Sequence, residues 1–143
     1  MSVIPSFQDL EYDTRDLAEA HGTDITVYSG GSDVLELDDI NGNPVEIYLG
    51  LYENKAVVPA PALTWKVVYE ESSNRAAAVV GINNPHLTSA PAKLCSDICS
   101  SLSWINIDLS NLGRGYTYCC TVDDLRAAIP HVPDLGNVGL LDN

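Results

Sequence analysis

The sequence predicts an α+β chain: an antiparallel sheet with a few helices. Three observations carry that expectation. The stretch TWKVVYEESSNRAAAVVGINNPHL reads as strand, polar turn, strand and exit loop. Two amphipathic segments, one near each end, have helical spacing and recognisable stops. The four cysteines all fall in the last 50 residues, where they can tie loops to a sheet. The 143 residues amount to a single domain, or part of one.

The first helix is expected over residues 6–21, with Ser6 as cap and Asp9 three residues on. Phe7, Leu10, Thr14, Leu17 and Ala18 share one face, Glu11 and Arg15 form an i,i+4 pair, and Gly22 stops the helix. Residues 24–28, 33–37 and 45–49 read as three short strands, with a turn at Ser29-Gly30-Gly31 and a hairpin at Asn41-Gly42. Together they suggest an antiparallel meander. Residues 51–62 read as a connection, because Pro59 and Pro61 oppose regular pairing.

Residues 64–70 are β-branched and aromatic, the composition of a half-buried strand. Residues 76–82 are an apolar run of strand length, expected to be buried on both faces and broken at Gly81. Residues 88–93 and 108–116 read as loops, and 94–104 as a weak helix. Thr121 caps a second helix over 122–129, where Asp123 and Asp124 suit the dipole and Pro130 ends it. The tail HVPDLGNVGLLDN looks irregular.

Cys119 and Cys120 are neighbours, with Cα atoms about 3.8 Å apart, too close for an ordinary disulfide between them. The expected bridges therefore join Cys95 and Cys99 to Cys119 and Cys120, in either of two pairings. A zinc site is the rival, but an adjacent cysteine pair suits tetrahedral ligation poorly. Disulfides imply an oxidising compartment, so an extracellular chain is expected, although MSVIPSF lacks the features of a signal peptide. No apolar run reaches the roughly 18 residues of a membrane helix, and no membrane partner is expected.

The net charge is −13, with only 7 Lys and Arg. A surface of that sign repels polyanions and lacks the basic footprint of a nucleic-acid binder, unless a metal supplies the local positive charge. His21, His86 and His131 show no HxH or HExxH spacing. Asn83-Asn84-Pro85-His86 could line a site or form only a turn. The acidic pairs Asp38-Asp39, Glu70-Glu71 and Asp123-Asp124 follow no metal-loop spacing.

Several stretches together resemble the DNA/RNA non-specific endonuclease family, especially its extracellular arthropod members, which degrade DNA and double-stranded RNA. They are IPSFQ, LEYDTRDLA, ITVYSGGSDVLELDDINGNPVEIYL, VPAPALTWKVVYEESSNRAAAVVGINNP, and Cys95, Cys99 and Trp104 with GYTYCCTVDDLRAAIPHVP. The likeness covers nearly the whole chain but only the C-terminal half of the family's domain. It implies a ββα-metal scaffold, phosphodiester hydrolysis of nucleic acid and a magnesium ion. In the family a D-R-G-H histidine activates water, an asparagine holds the metal, and a glutamate on the same helix supports the metal's water shell. Glu11, followed by Arg15, matches that glutamate. No D-R-G-H occurs in these residues. The asparagine's ungapped match falls on Val3, which cannot ligate magnesium; the alternative alignment is a deletion that removes the asparagine and a tryptophan.

The resemblance thus implies a fragment or relative of a metal-dependent nuclease. It would be inactive alone, binding no Mg2+ by itself, with an N-terminal half or partner chain supplying the rest. The alternative is a catalytically degenerate, disulfide-stabilised binding or structural protein. Glu11 itself has a plain reading as an exposed helical residue.

Overall fold

The computed structural model describes residues 5–143. Helix α1, Pro5–His21, is followed by strand β1, Thr26–Val34. Two ribbons come next: β2, Glu36–Asp38, with β3, Pro44–Glu46, and β4, Tyr48–Tyr52, with β5, Lys55–Pro59. Strands β6, Pro61–Glu70, and β7, Arg75–Ile82, form the expected central hairpin. Strand β8, Thr117–Cys120, helix α2, Val122–Ala128, and strand β9, Gly139–Leu140, complete the chain.

The main sheet runs β1-β6-β7-β8, antiparallel throughout, and β9 lies parallel to β7 beside β8. Strand β7 is buried from Ala76 to Gly81 because both faces of the sheet are covered. On one face Val68, Ala77, Val79 and Cys119 meet Leu10 and Leu17 of α1, with Leu102, Trp104 and Leu141. On the other, Trp65, Val67, Val80, Tyr118 and Cys120 meet Val122 and Leu125 of α2, with Ile129. Alternation along each strand does this sorting. Thr121 caps α2 as expected, its hydroxyl accepting from the Asp124 N–H at 3.2 Å. No described helix is long and apolar enough to cross a membrane.

Several expectations are corrected. Ser29-Gly30-Gly31 is not a turn but the middle of β1, paired with Lys66, Trp65 and Thr64. The reason is packing: a Cβ on Gly30 would lie 2.3 Å from the Trp65 ring. Gly30→Ala should therefore destabilise the fold by roughly 2–3 kcal/mol, by overpacking a ring that is almost wholly buried. Urea unfolding followed by tryptophan fluorescence checks this.

The meander is also absent, since β1 pairs not with its sequence neighbour but with β6, from Thr26 opposite Tyr69 to Val34 opposite Pro61. The chain between them forms the two ribbons. Asn41-Gly42 does make the first hairpin, with Gly42 at φ +78° and both Asn41 and Asn43 N–H groups donating to Asp39. The expected connection 51–62 contains the second hairpin, turned by Glu53 and Asn54 at φ +50° and +62°. Its prolines stand at the end of β5 and the start of β6, so they do not break the pairing. Leu35, Ile47 and Ala60 close a ring of three backbone hydrogen bonds, 2.8, 2.8 and 2.9 Å, where the ribbons meet the main sheet.

Gly81 does not break β7; it pairs with Thr64 and Thr117. Segment 94–104 is not helical beyond one tight turn, Cys99–Ser101, because its cysteines are drawn to β8. The tail is not irregular throughout: β9 pairs with β7, and the Leu141 carbonyl accepts the Trp104 indole N–H at 2.7 Å. Ser6 does not cap α1. It lies within the described helix, buried, its hydroxyl 2.7 Å from that of Thr117.

Candidate functional site: the groove between helix α1 and strand β1

Helix α1 lies across the β1–β6 end of the sheet, leaving a groove of about 290 Å³ lined by Leu10, Glu11, Thr14, Val27, Ser29 and Lys66. The helix places Glu11 and Thr14 three residues apart, on one side. Strand alternation turns Val27, Ser29 and Lys66 to the same face. The Thr14 hydroxyl is taken up by the Leu10 carbonyl at 2.8 Å.

The expected Glu11–Arg15 ion pair does not form. The Arg15 guanidinium lies over the Tyr12 ring, 5.8 Å from its centroid. Glu11 instead has Lys66, whose Nζ stands 3.8 Å from Oε1. Nothing in the sequence spacing could have shown this pair, since Lys66 comes from a strand 55 residues further on. The lysine is held from three sides. It lies 5.9 Å from the centroid of the Phe7 ring, donates to Ser29 Oγ at 3.4 Å, and faces Glu11. Its side chain is 19% exposed while that of Glu11 is 64% exposed, so the pair opens on the glutamate side.

Among the described residues no histidine lines this groove. His21, at the far end of α1, places Nδ1 2.5 Å from Glu70 Oε2. His86 is exposed in the loop after β7, its N–H bonded to Asn84, so Asn83-Asn84-Pro85-His86 serves as an exit turn. Asn83 itself is buried, its side-chain amide donating to the Pro61 carbonyl at 2.9 Å. The His131 ring lies against Trp65 at a tilt of 47°, with centroids 5.8 Å apart. Val3, the position matched to a metal-ligating asparagine, lies outside the described residues.

The groove is a poor match for a divalent cation. It offers a single carboxylate, and that carboxylate already faces an ammonium, whose charge opposes a metal at the same point. Elsewhere, among the described residues, Asp97, Cys99 and Cys119 cluster closely enough for ligation. There the two sulfurs are bonded to each other, and the aspartate accepts backbone N–H groups of Cys99 and Cys119. The bridges are Cys95–Cys120 and Cys99–Cys119, one of the two expected pairings. Adjacent cysteines on a strand point to opposite faces, so each bridge enters a different core layer.

The cations are mostly consumed internally. Arg75, Arg114 and Arg126 pair with carboxylates, as Lys66 does. The remaining acidic excess faces solvent, as composition led one to expect.

Comparison with known proteins places this geometry. The chain is 34% identical over 118 residues to a salivary endonuclease of Lutzomyia longipalpis, covering 80% of this chain and 27% of that protein. It is 29% identical over 129 residues to salivary protein Tsal1 of Glossina morsitans morsitans, covering 87% and 32%. Salivary protein Tsal2A of the same fly is 28% identical over 151 aligned positions, covering 98% and 37%. The chain thus spans about a third of the length of these relatives. No solved structure matches it. The profile of the DNA/RNA non-specific endonuclease family matches residues 5–125, from the start of α1 into α2. The chain belongs to the DNA/RNA non-specific endonuclease family.

Proposed function

We propose that this chain is the C-terminal portion of a secreted, metal-dependent nuclease domain, supplying the sheet, the disulfides and Glu11 to a site that other residues complete. The substrate class is DNA or double-stranded RNA. The observation that carries this reading is the family match across α1 and strands β1, β6, β7 and β8 of the main sheet, combined with a groove in which Glu11 has no histidine beside it. Hydrolysis of a phosphodiester needs a base for the water and a cation for the developing charge. As folded, the groove offers one carboxylate and the Lys66 ammonium that faces it, and among the described residues no histidine. In the completed site magnesium would supply that cation. The general base and the remaining metal ligand would come from a further segment or a partner chain.

Glu11 and Lys66 then have distinct tasks. Glu11 is the exposed acceptor on the helix, the one residue of this groove that would face a metal's water shell in the completed site. Lys66 balances its charge across the groove. The two disulfides fit an oxidising, extracellular setting, as do the salivary sources of the relatives.

Incubation of the purified chain with supercoiled plasmid and with double-stranded RNA in magnesium should give no cleavage. Clear cleavage that Glu11→Gln abolishes would show that these residues hold a whole active site and would sink the reading.

A further inference from the structure

The chain from β2 to β5 adds nothing to either core layer. Among the described residues, none from 36 to 59 belongs to the packed cluster on the α1 face or to the one on the α2 face. The second ribbon is the extreme case. Every residue of β5 is exposed, and none of β4 is buried. Yet its side chains are those of a core. Leu51 and Tyr52 are 72% and 68% exposed, and Leu49, Val57 and Val58 are 48%, 50% and 48% exposed. Leu51 and Tyr52 are adjacent in a strand and point to opposite sides, which puts apolar side chains on both faces of the ribbon.

A lone two-stranded ribbon is marginal in water, and an apolar patch of this kind marks a surface that something covers. The family match, residues 5–125, spans the ribbon, so the ribbon is part of the nuclease domain and not an appendage. The chain spans only about a third of the length of its relatives. Charge adds a further constraint. Residues 36–59 carry five acids and one lysine, in a chain of net charge −13. A nuclease needs cations to hold a polyanion, and four of the seven here, Lys66, Arg75, Arg114 and Arg126, already face carboxylates. The cations that meet the substrate then belong to the rest of the domain, whose basic surface complements this acidic one.

We infer that the β4–β5 ribbon is the docking arm for the remaining part of the nuclease domain, a basic polypeptide segment that closes over both of its faces. The assignment rests on the nuclease reading and adds to it the surface through which the site is completed. A flat lipid surface would cover one face and leave the other wet. Ala60, at the foot of the ribbon, stands six residues before Lys66 along β6, so the docked segment begins within about 20 Å of the Glu11 groove.

The test is amide hydrogen exchange read by mass spectrometry, on this chain and on intact Tsal2A of Glossina morsitans morsitans, whose match covers 98% of this chain. In this chain alone the amides of β4 and β5 should exchange on the order of a hundredfold faster than those of β6 and β7. In Tsal2A the aligned ribbon should be as protected as the sheet. A hybrid, Tsal2A carrying this chain in place of its aligned part, should protect the ribbon too. Leu51→Lys with Val58→Lys should remove that protection and lower the urea midpoint of the hybrid, while leaving the midpoint of this chain alone unchanged. If the hybrid does not fold, Tsal2A with lysines at the two aligned positions takes its place. Equal exchange of the ribbon in this chain and in Tsal2A would overturn the inference. So would a lysine pair that the longer protein tolerates as well as the chain alone does. Plasmid cleavage by Tsal2A in magnesium is read separately: a protected ribbon without cleavage counts against the nuclease reading only, and cleavage with an unprotected ribbon counts against the docking arm only.

Discussion

Removing both disulfides is expected to cost about 5 kcal/mol of stability, about 1 kcal/mol more than the sum of removing each alone. The bridges are nested: Cys99–Cys119 lies inside the loop closed by Cys95–Cys120, with separations of 20 and 25 residues. Either bridge alone shrinks the unfolded ensemble by roughly 3 kcal/mol on the loop-entropy estimate. Once one is present, the other closes only a short ring of about five residues and adds about 2 kcal/mol. Cys95→Ala with Cys120→Ala should thus cost about 2 kcal/mol, and so should Cys99→Ala with Cys119→Ala. The fourfold variant should lose about 5 kcal/mol against their sum of about 4, because only then is the long loop free. Urea midpoints of the three variants and the parent measure this. Simple additivity would show that the bridges act by local packing in their separate core layers.

The second large effect concerns Glu70, at the end of β6. Its side chain is 4% exposed. The Ser73 hydroxyl donates to it, His21 Nδ1 lies beside it, and Arg75 approaches at 3.4 Å. Arg75 reaches on to Asp142 and Asn143 at the C-terminus. One carboxylate therefore joins the end of α1, the β6–β7 turn and the tail. Glu70→Ala strands these partners and should cost roughly 2–4 kcal/mol, the penalty of breaking a buried, hydrogen-bonded charge.

The same group predicts a pH dependence. The Ser73 hydroxyl first, and the His21 ring second, hold the Glu70 carboxyl below its ordinary 4.5, against burial, which pushes it up. A carboxyl depressed in the folded state stabilises the fold above its unfolded value. That contribution is lost as pH falls through the folded value. Stability of the parent should drop on acidification below about 4.5. Glu70→Gln, of the same shape but with no proton to take up, should show a shallower decline, since Asp39 and Asp108, which are also depressed, remain in both proteins. Parallel slopes for the two proteins would remove Glu70 from the account of acid sensitivity.

Much of the scaffold was legible along the chain because it rests on short-range rules. Residues 64–82 announce a hairpin by composition, Thr121 announces a cap, and Asn41-Gly42 announces a turn. The candidate glutamate was legible only through family likeness, and its role remains the proposal made above. What sequence reading misassigned were features whose cause is a distant partner. Gly30-Gly31 has the local chemistry of a turn, yet Trp65 presses on it and keeps the strand straight. Glu11 has Arg15 one helical turn away, yet faces Lys66 from another strand.

By itself, then, the amino-acid sequence determined the class of fold, the central hairpin, the set of cysteines to be joined and the acidic surface, because these follow from propensity, spacing and charge. Only the tertiary structure decided which cysteine meets which, that β1 pairs with β6, and which cation attends Glu11. Those choices depend on side chains brought together across many residues by packing on the two faces of one sheet, where neighbours in sequence are sent to opposite sides.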